Sequence, residues 1–453
     1  MTTGGTSGSS PLLISGGTLI DGSGAAPQPS TDVLIHGDEI LAVGATAAER
    51  AAGLQGVVTI DATGSTVMPG LIDAHCHSTF DDVQSNDELF FHRPPVLSAL
   101  VTAFNLPKLL RAGVTSFFDP DTVHGIGPQV RDALNAGVFE GPRMATGVQA
   151  LLTSVGGTAG RLIPDEGEVG YAAIVNTTEE MVVTTRRQIK YGADWIKVHA
   201  TGSIPTHQGE LQVWTLDEMK AVCDTAHSLG VPVTAHCRNA ASTRDAALAG
   251  VDLILHASYI DDEALEAVLE SGAAVCPTFT FLANLADYGD AVGATKGMTG
   301  IFRGEIDATA ATLRRAYDEG VTLLCGSESG FALTPYGHWH ARELEVFVEA
   351  LGLSPLEAIT CATKNNALAM RMEGKLGVVA EGYRADVLVV DGNPLADIRI
   401  LQDKQRLKEV ISRGRRVDLT TPWPERRKIA GEKVGNWAAE VLTYDRAMSV
   451  SRP

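Results

Sequence analysis

The sequence predicts a mixed α/β protein: a (β/α)8 TIM barrel with a small β domain completed from both chain ends. Three observations predict it. From about residue 69, short apolar runs alternate with helical patterns, the signature of a parallel sheet. Eight such runs precede residue 375, the strand number of a TIM barrel. Gly-punctuated β-rich runs flank this stretch on both sides, at 11–68 and 375–420.

After a Gly/Ser leader, the runs at 12–14, 18–20, 33–35, 40–43 and 57–60 suit a small antiparallel sheet. The eight barrel strands, within 69–374, centre on 71–74, 114–118, 144–147, 195–198, 233–236, 253–256, 274–277 and 322–325. Helical patterns separate most of them. The pattern at 215–229 opens on a Thr/Asp start and stops at Gly230. The Gly-rich stretch 281–303 reads as a loop and a candidate lid. Strand texture returns at 385–390, 409–411 and 415–417, as the partner of the N-terminal sheet. The polar tail 421–453, with Trp423 and Trp437, is read as packing on a neighbouring subunit or staying loose.

Lys and Arg total 36 against 55 Asp and Glu, a net charge of -19. Such a surface repels nucleic acid and anionic membrane, so neither is an expected partner. The six cysteines show no Cys-x-x-Cys and no disulfide-like spacing, which points to a reducing, cytoplasmic setting. The first residues lack a secretory signal, and no apolar stretch approaches the ~20 residues that span a bilayer.

The chemistry begins at residues 67 to 77, Val-Met-Pro-Gly-Leu-Ile-Asp-Ala-His-Cys-His. Strand side chains alternate, so His75 and His77 share a face at the end of the first barrel strand. The carboxyl ends of barrel strands converge on one mouth. Lys197 lies on the fourth strand, His236 ends the fifth, His256 the sixth, and the eighth runs into Gly326-Ser327-Glu328. Imidazoles bind Zn²⁺ at ~2.0–2.1 Å. A lysine ammonium cannot ligate a cation, but burial favours the neutral amine, which reacts with CO₂ to give a two-oxygen carbamate. Two metals ~3.5–4 Å apart then hold a shared hydroxide, polarise a carbonyl and steady the leaving group. A nearby carboxylate passes the proton to the departing nitrogen.

These residues resemble the amidohydrolase superfamily, in its imidazolonepropionase-like and Xaa-Pro-dipeptidase-like branch. The resemblance rests on Met-Pro-Gly-Leu-Ile-Asp-Ala-His-Cys-His, Gly113-Val114-Thr115, Trp195 to Gly202, Val231 to His236 and Leu255 to Ser258. Gly352 to Thr360, Ala362 to Asn365 and Gly382 to Asp386 continue it. It covers roughly residues 11 to 418. It implies a distorted TIM barrel, a flanking β-sandwich, and metal-dependent hydrolysis, commonly of C–N bonds. His75 and His77 would bind the more buried metal, carboxylated Lys197 would bridge, and His236 and His256 would hold the second. Zn²⁺ suits the set, and Mn²⁺, Co²⁺ or Fe²⁺ also fit it.

One position departs from the family pattern. The usual Gly-Thr-Asp-x-Gly turn is here Gly326-Ser327-Glu328-Ser329-Gly330, one methylene longer at the carboxylate. Either the strand end is shifted to compensate, or Glu328 keeps its proton-shuttle role with a weaker metal bond. His199, His124 and Tyr259 are candidate substrate contacts, with packing or surface positions as the alternative. His338 and His340 read as structural, and Cys76, Cys237 and Cys325 as small apolar fillers. The expected reaction is hydrolysis of an amide, peptide, carbamate or urea bond in a small molecule by a homo-oligomeric enzyme. Ester, lactone or ring hydrolysis, deamination, or a non-catalytic assembly role are the rival readings. Lys197 speaks against deamination, because mononuclear deaminases typically lack that lysine.

Overall fold

Strand Val387–Val390 sends alternate side chains to opposite faces, and the structure uses both faces. Val387 and Val389 join Ile14, Val33, Ile35, Val67 and Ile411 in one apolar cluster, while Leu388 and Val390 face the larger core. That division is why the two chain ends share a sheet. In the computed structural model, which describes residues 10–85, 88, 93–157, 165, 170–426, 438 and 440–450, this sheet has eight strands. Arg415–Arg416, Leu407–Ser412 and Val387–Val390 come from the C-terminal end. Thr66–Pro69, Leu12–Leu19, Gln28–His36 and Glu39–Val43 continue the order, and Val58–Asp61 pairs with Leu12–Leu19. The seam is antiparallel, Leu388 opposite Met68. The leader and Trp437 lie outside the described residues.

The rest is a mixed α/β fold with parallel strands. Leu71–Asp73, Val114–Asp119 and Arg143–Thr146 form a three-stranded sheet. A six-stranded sheet runs in the order Ala172–Ile174, Ala150–Leu152, Ile196–His199, Val233–Cys237, Leu253–His256 and Ala274–Cys276. Its register puts His199 opposite His236 and Cys237 opposite His256. Helices cover these strands, and their ends follow from local chemistry. Thr177 with Glu180 and Thr215 with Glu218 form capping boxes on Thr178–Lys190 and Leu216–His227. Left-handed Gly250 and Gly272 stop Ala240–Ala249 and Asp262–Ser271.

Two expectations need correction. The eighth strand, at 322–325, makes only an isolated bridge, Val275 with Leu323. Side chains supplement its few backbone bonds: Cys325 N donates to Asn366 Oδ1 at 3.0 Å, and Asn366 Nδ2 donates to the carbonyls of Ile72 and Cys325. Asn366 thus fastens this segment to the first strand, and the described pairing does not join into one closed sheet. The stretch 281–303 is largely helical, not a loop. Phe279–Tyr288 is a helix buried on nearly every side. The 21-residue helix Met298–Asp318 contains Gly300 and Gly304.

The described parts of the tail pack on the chain itself. Trp423 lies against Phe104 with Arg111 over its ring, and Arg426 pairs with Asp81. Trp339 Nε1 donates to the Leu442 carbonyl at 2.6 Å. No described helix is long and apolar enough to cross a membrane.

Candidate metal centre

Asp73, two residues before His75, shows how the first strand is held. Its buried carboxylate accepts from Ser327 N at 3.0 Å, Ser327 Oγ at 2.5 Å and His75 N at 3.2 Å, and lies 2.7 Å from His340 Nδ1. The His75 strand, the Glu328 turn and the following helix are thereby tied at one point. His340 is structural, as read from the sequence, but it braces the site. Gly326 is required beside it: a Cβ there would lie 2.6 Å from His75 Cβ and 2.7 Å from Cys276 Sγ. Asp73→Ala would leave buried donors and a buried histidine without their acceptor. We expect a loss of ~3–5 kcal/mol in denaturant-unfolding stability.

The strand ends bring His75, His77, His236, His256 and Lys197 together. His75 lies with its ring centre 4.9 Å from His77 and 5.3 Å from His256, and His236 is 4.5 Å from His256. Glu328 joins them from the turn, where its backbone is left-handed at φ 53°. Glu328 N donates to the His75 carbonyl at 2.7 Å and Thr334 Oγ1 to the Glu328 carbonyl at 2.6 Å, which hold that strained conformation. One ligand atom from each of His75, His77 and Glu328 lies within 4.8 Å of the others. The longer side chain at 328 therefore still reaches the histidine pair.

Three polar groups stand behind the histidines. His75 Nδ1 is 3.0 Å from Thr278 Oγ1, His77 Nδ1 3.2 Å from Asp121 Oδ1, and His236 Nε2 3.0 Å from Glu210 Oε2. Asp121 also faces Lys197 Nζ at 3.8 Å and His199 Nε2 at 3.7 Å. Sequence reasoning missed Asp121, although Asp119-Pro120-Asp121 directly follows the second barrel strand and two acids at a strand end were a usable signal. It also missed Glu210, which arrives on the hairpin Thr201–Pro205 and Glu210–Gln212 with no local motif. Arg238 was missed too. It is gripped by Glu305 at 2.7 and 2.8 Å, and Ser258 Oγ donates to the same carboxylate at 2.5 Å.

The electrostatics suit cations. Burial, then the charge of Lys197, hold His75 and His236 well below the usual imidazole range. Burial and His236 do the same to His256. Neutral imidazole is the form that ligates. Burial lowers the Lys197 amine, only partly offset by Asp121 and Glu328. It also pushes Glu328 up to about 8. For Asp121, burial alone would raise the carboxyl, but His77, His199 and Lys197 outweigh it and hold the group well below the usual carboxylate range. Asp119, Asp121, Glu210, Glu305 and Glu328 are the carboxyl groups around Lys197 and Arg238, and burial raises Asp119, Glu210 and Glu328. Buried His75 Nε2, His256 Nε2 and both Asp121 oxygens have no hydrogen-bond partner among the described residues. Buried polar atoms are normally satisfied. Such orphaned nitrogens and oxygens, gathered at one focus, fit the donor set of a divalent-metal site.

The remaining candidates lie differently. His199 is buried and stacks on His236 at 4.6 Å, packed into the cluster's flank. Tyr259 is left-handed at φ 57°, with its N–H on Thr309 Oγ1, and its ring borders Gly209 of the hairpin. His124 Nε2 lies 2.7 Å from the Arg93 carbonyl, and no ring contact or ion pair described here links it to the cluster. His338 Nδ1 accepts from Tyr444 N in the tail, a packing role. Cys76, Cys237 and Cys325 are buried free thiols, raised by burial and so unreactive.

Residues 66–417 match the family model described as Amidohydrolase family. Ochratoxinase of Aspergillus niger is 30% identical over 371 residues, covering 77% of this chain and 75% of that protein. Its crystal structure superposes with a TM-score of 0.76 over 96% of this chain and 99% of its own, at 26% identity. A prolidase complexed with N-methylphosphonate-L-proline gives a TM-score of 0.77 at 28% identity, over 90% of this chain and 99% of its own. A Xaa-Pro dipeptidase with bound methionine gives 0.76 at 26% identity, over 90% and 99%.

Proposed function

The chain belongs to the amidohydrolase family, and on that premise we propose that it is a metal-dependent hydrolase cleaving the C–N bond of a small amide. The observation that carries this reading is the buried convergence of ligating atoms without partners, His75 Nε2, His256 Nε2 and the Asp121 carboxylate, beside Lys197 and Glu328. The fold it calls for is a distorted (β/α)8 barrel with ligands at the carboxyl ends of its strands. Support for that comes from the hydrogen bonds that run from Ala74 N to the Cys325 carbonyl and from Leu324 N to the Val275 carbonyl.

In this reading His75, His77 and Glu328 hold one divalent ion and His236 and His256 a second. Lys197, whose amine burial makes easier to deprotonate, would be carboxylated by CO₂ with loss of a proton and would help hold both ions. When bound, the ions supply Lewis acidity toward the substrate carbonyl and toward water. Zinc suits the histidines best. Glu328 is the proton carrier: it takes a proton from the attacking water and hands it to the leaving nitrogen. Asp73, Ser327 and His340 fix the turn from which it works.

An amide is favoured over other C–N bonds by the relatives. One is a prolidase complexed with N-methylphosphonate-L-proline, and another is a Xaa-Pro dipeptidase. The test is a screen of N-acyl amino acids, dipeptides, carbamates and ureas with zinc- and manganese-loaded protein. We expect the best rates on an amide, complete loss after prolonged dialysis against a chelator, and recovery on adding metal with bicarbonate. Hydrolysis that survives a verified metal-free state would overturn the reading.

A further inference from the structure

We propose that Glu210 is a positioning residue for His236, fixing which ring nitrogen is turned to the metal. The inference rests on the two-ion hydrolase reading. Glu210 Oε2 lies 3.0 Å from His236 Nε2; an ionised carboxylate accepts hydrogen bonds and cannot donate them, so with Glu210 ionised the ring proton belongs on Nε2. Nδ1 then carries the lone pair and is the only ligating atom that His236 has left. Ligand histidines gain orientation and basicity from such an outer carboxylate.

The carboxylate is itself held from several sides. Thr201 Oγ1 donates to Glu210 Oε2 at 2.9 Å, and Arg238 Nε stands 3.9 Å from Oε1. Glu210 N donates to the Arg238 carbonyl at 2.9 Å, two residues beyond His236, and Asn239 Nδ2 donates to the Glu210 carbonyl. Gly209 lets the hairpin approach, since a Cβ there would meet the Arg238 carbonyl oxygen at 1.6 Å. His199 stacks flat on the other side of the ring. The hairpin Thr201–Pro205 and Glu210–Gln212 thus delivers an acid to the rear of a ligand on the next strand.

The experiment measures zinc dissociation constants by chelator competition on the full chain. It compares wild type, Glu210→Ala, Glu210→Gln and Thr201→Val, with melting of each metal-free protein recorded. Glu210→Ala is expected to weaken one of the two ions ~10–100-fold and leave the other unchanged. Glu210→Gln keeps a carbonyl acceptor for Nε2 and should stay near wild type. Thr201→Val, which removes one support, should fall between, and it carries the test if Glu210→Ala does not fold. Wild-type affinity in Glu210→Ala, or in Thr201→Val where that variant stands in, would overturn the proposal. So would a Gln variant as weak as the Ala variant, which would make Glu210 a direct ligand. A wild-type chain that binds no second ion would overturn the hydrolase reading, and this proposal with it.

Discussion

Lys197→Ala is expected to bind at most one divalent ion where wild type binds two, and to lose ~10²–10⁴-fold in kcat/KM. The size follows from what is removed. Lewis-acid stabilisation of developing charge is worth several kcal/mol, and each ~1.4 kcal/mol is a factor of ten in rate. Lys197 is buried and has Asp121 at 3.8 Å as its nearby countercharge. In the variant the proposed bridge is lost, and with it the amine that faces Asp121 when no metal is bound. Short carboxylic acids added with bicarbonate should restore part of the metal content, because they supply the missing oxygens. Metal content and rate are measured on the same preparation, so a folding defect is separated by comparing melting curves. A lysine variant with full metal and wild-type rate would show that the lysine is only a buried cation.

Glu328→Gln is the second large effect. The amide keeps the shape and the backbone bonds to His75 and Thr334 but cannot carry a proton between water and nitrogen. General acid–base catalysis contributes ~10²–10⁴-fold, and that loss is expected in kcat with a smaller change in KM. Glu328→Asp tests the departure from the family pattern. The strand turn here is built for the longer side chain, which reaches His75 and His77 from a left-handed backbone held at two points. Withdrawing the carboxylate by about an ångström costs ~10²-fold if nothing adjusts. An Asp variant as fast as wild type would show that the turn shifts freely.

The elements legible in the sequence were those whose pattern is local. His75, His77, Lys197, His236 and His256 lie at or near the ends of alternating apolar runs, and the strands carrying them form within a residue or so of the predicted places. The terminal sheet was legible for the same reason, since Val387 to Val390 alternate between two cores. What was missed depends on tertiary context. Phe279–Tyr288 is buried on nearly every side by its tertiary neighbours, and the glycines that follow it, Gly289, Gly293 and Gly297, read as loop. The segment 322–325 has a strand's composition and keeps some backbone bonds, but Asn365 and Asn366 take others that a ladder would use. Asp121 and Glu210 are ordinary acids in sequence. Only the approach of the Val114–Asp119 strand and of the hairpin to the histidines makes them part of the centre.

The proposed hydrolase requires two ions that share one focus between His75, His77, Lys197, His236, His256 and Glu328. The direct measurement is anomalous diffraction at the zinc edge from zinc-loaded crystals grown with bicarbonate. Two peaks ~3.5–4 Å apart are predicted, one beside His75 and His77 and one beside His236 and His256, with density extending from Lys197 Nζ to both. A single peak remote from Lys197, or a fully active crystal form with no peak at these residues, would contradict it.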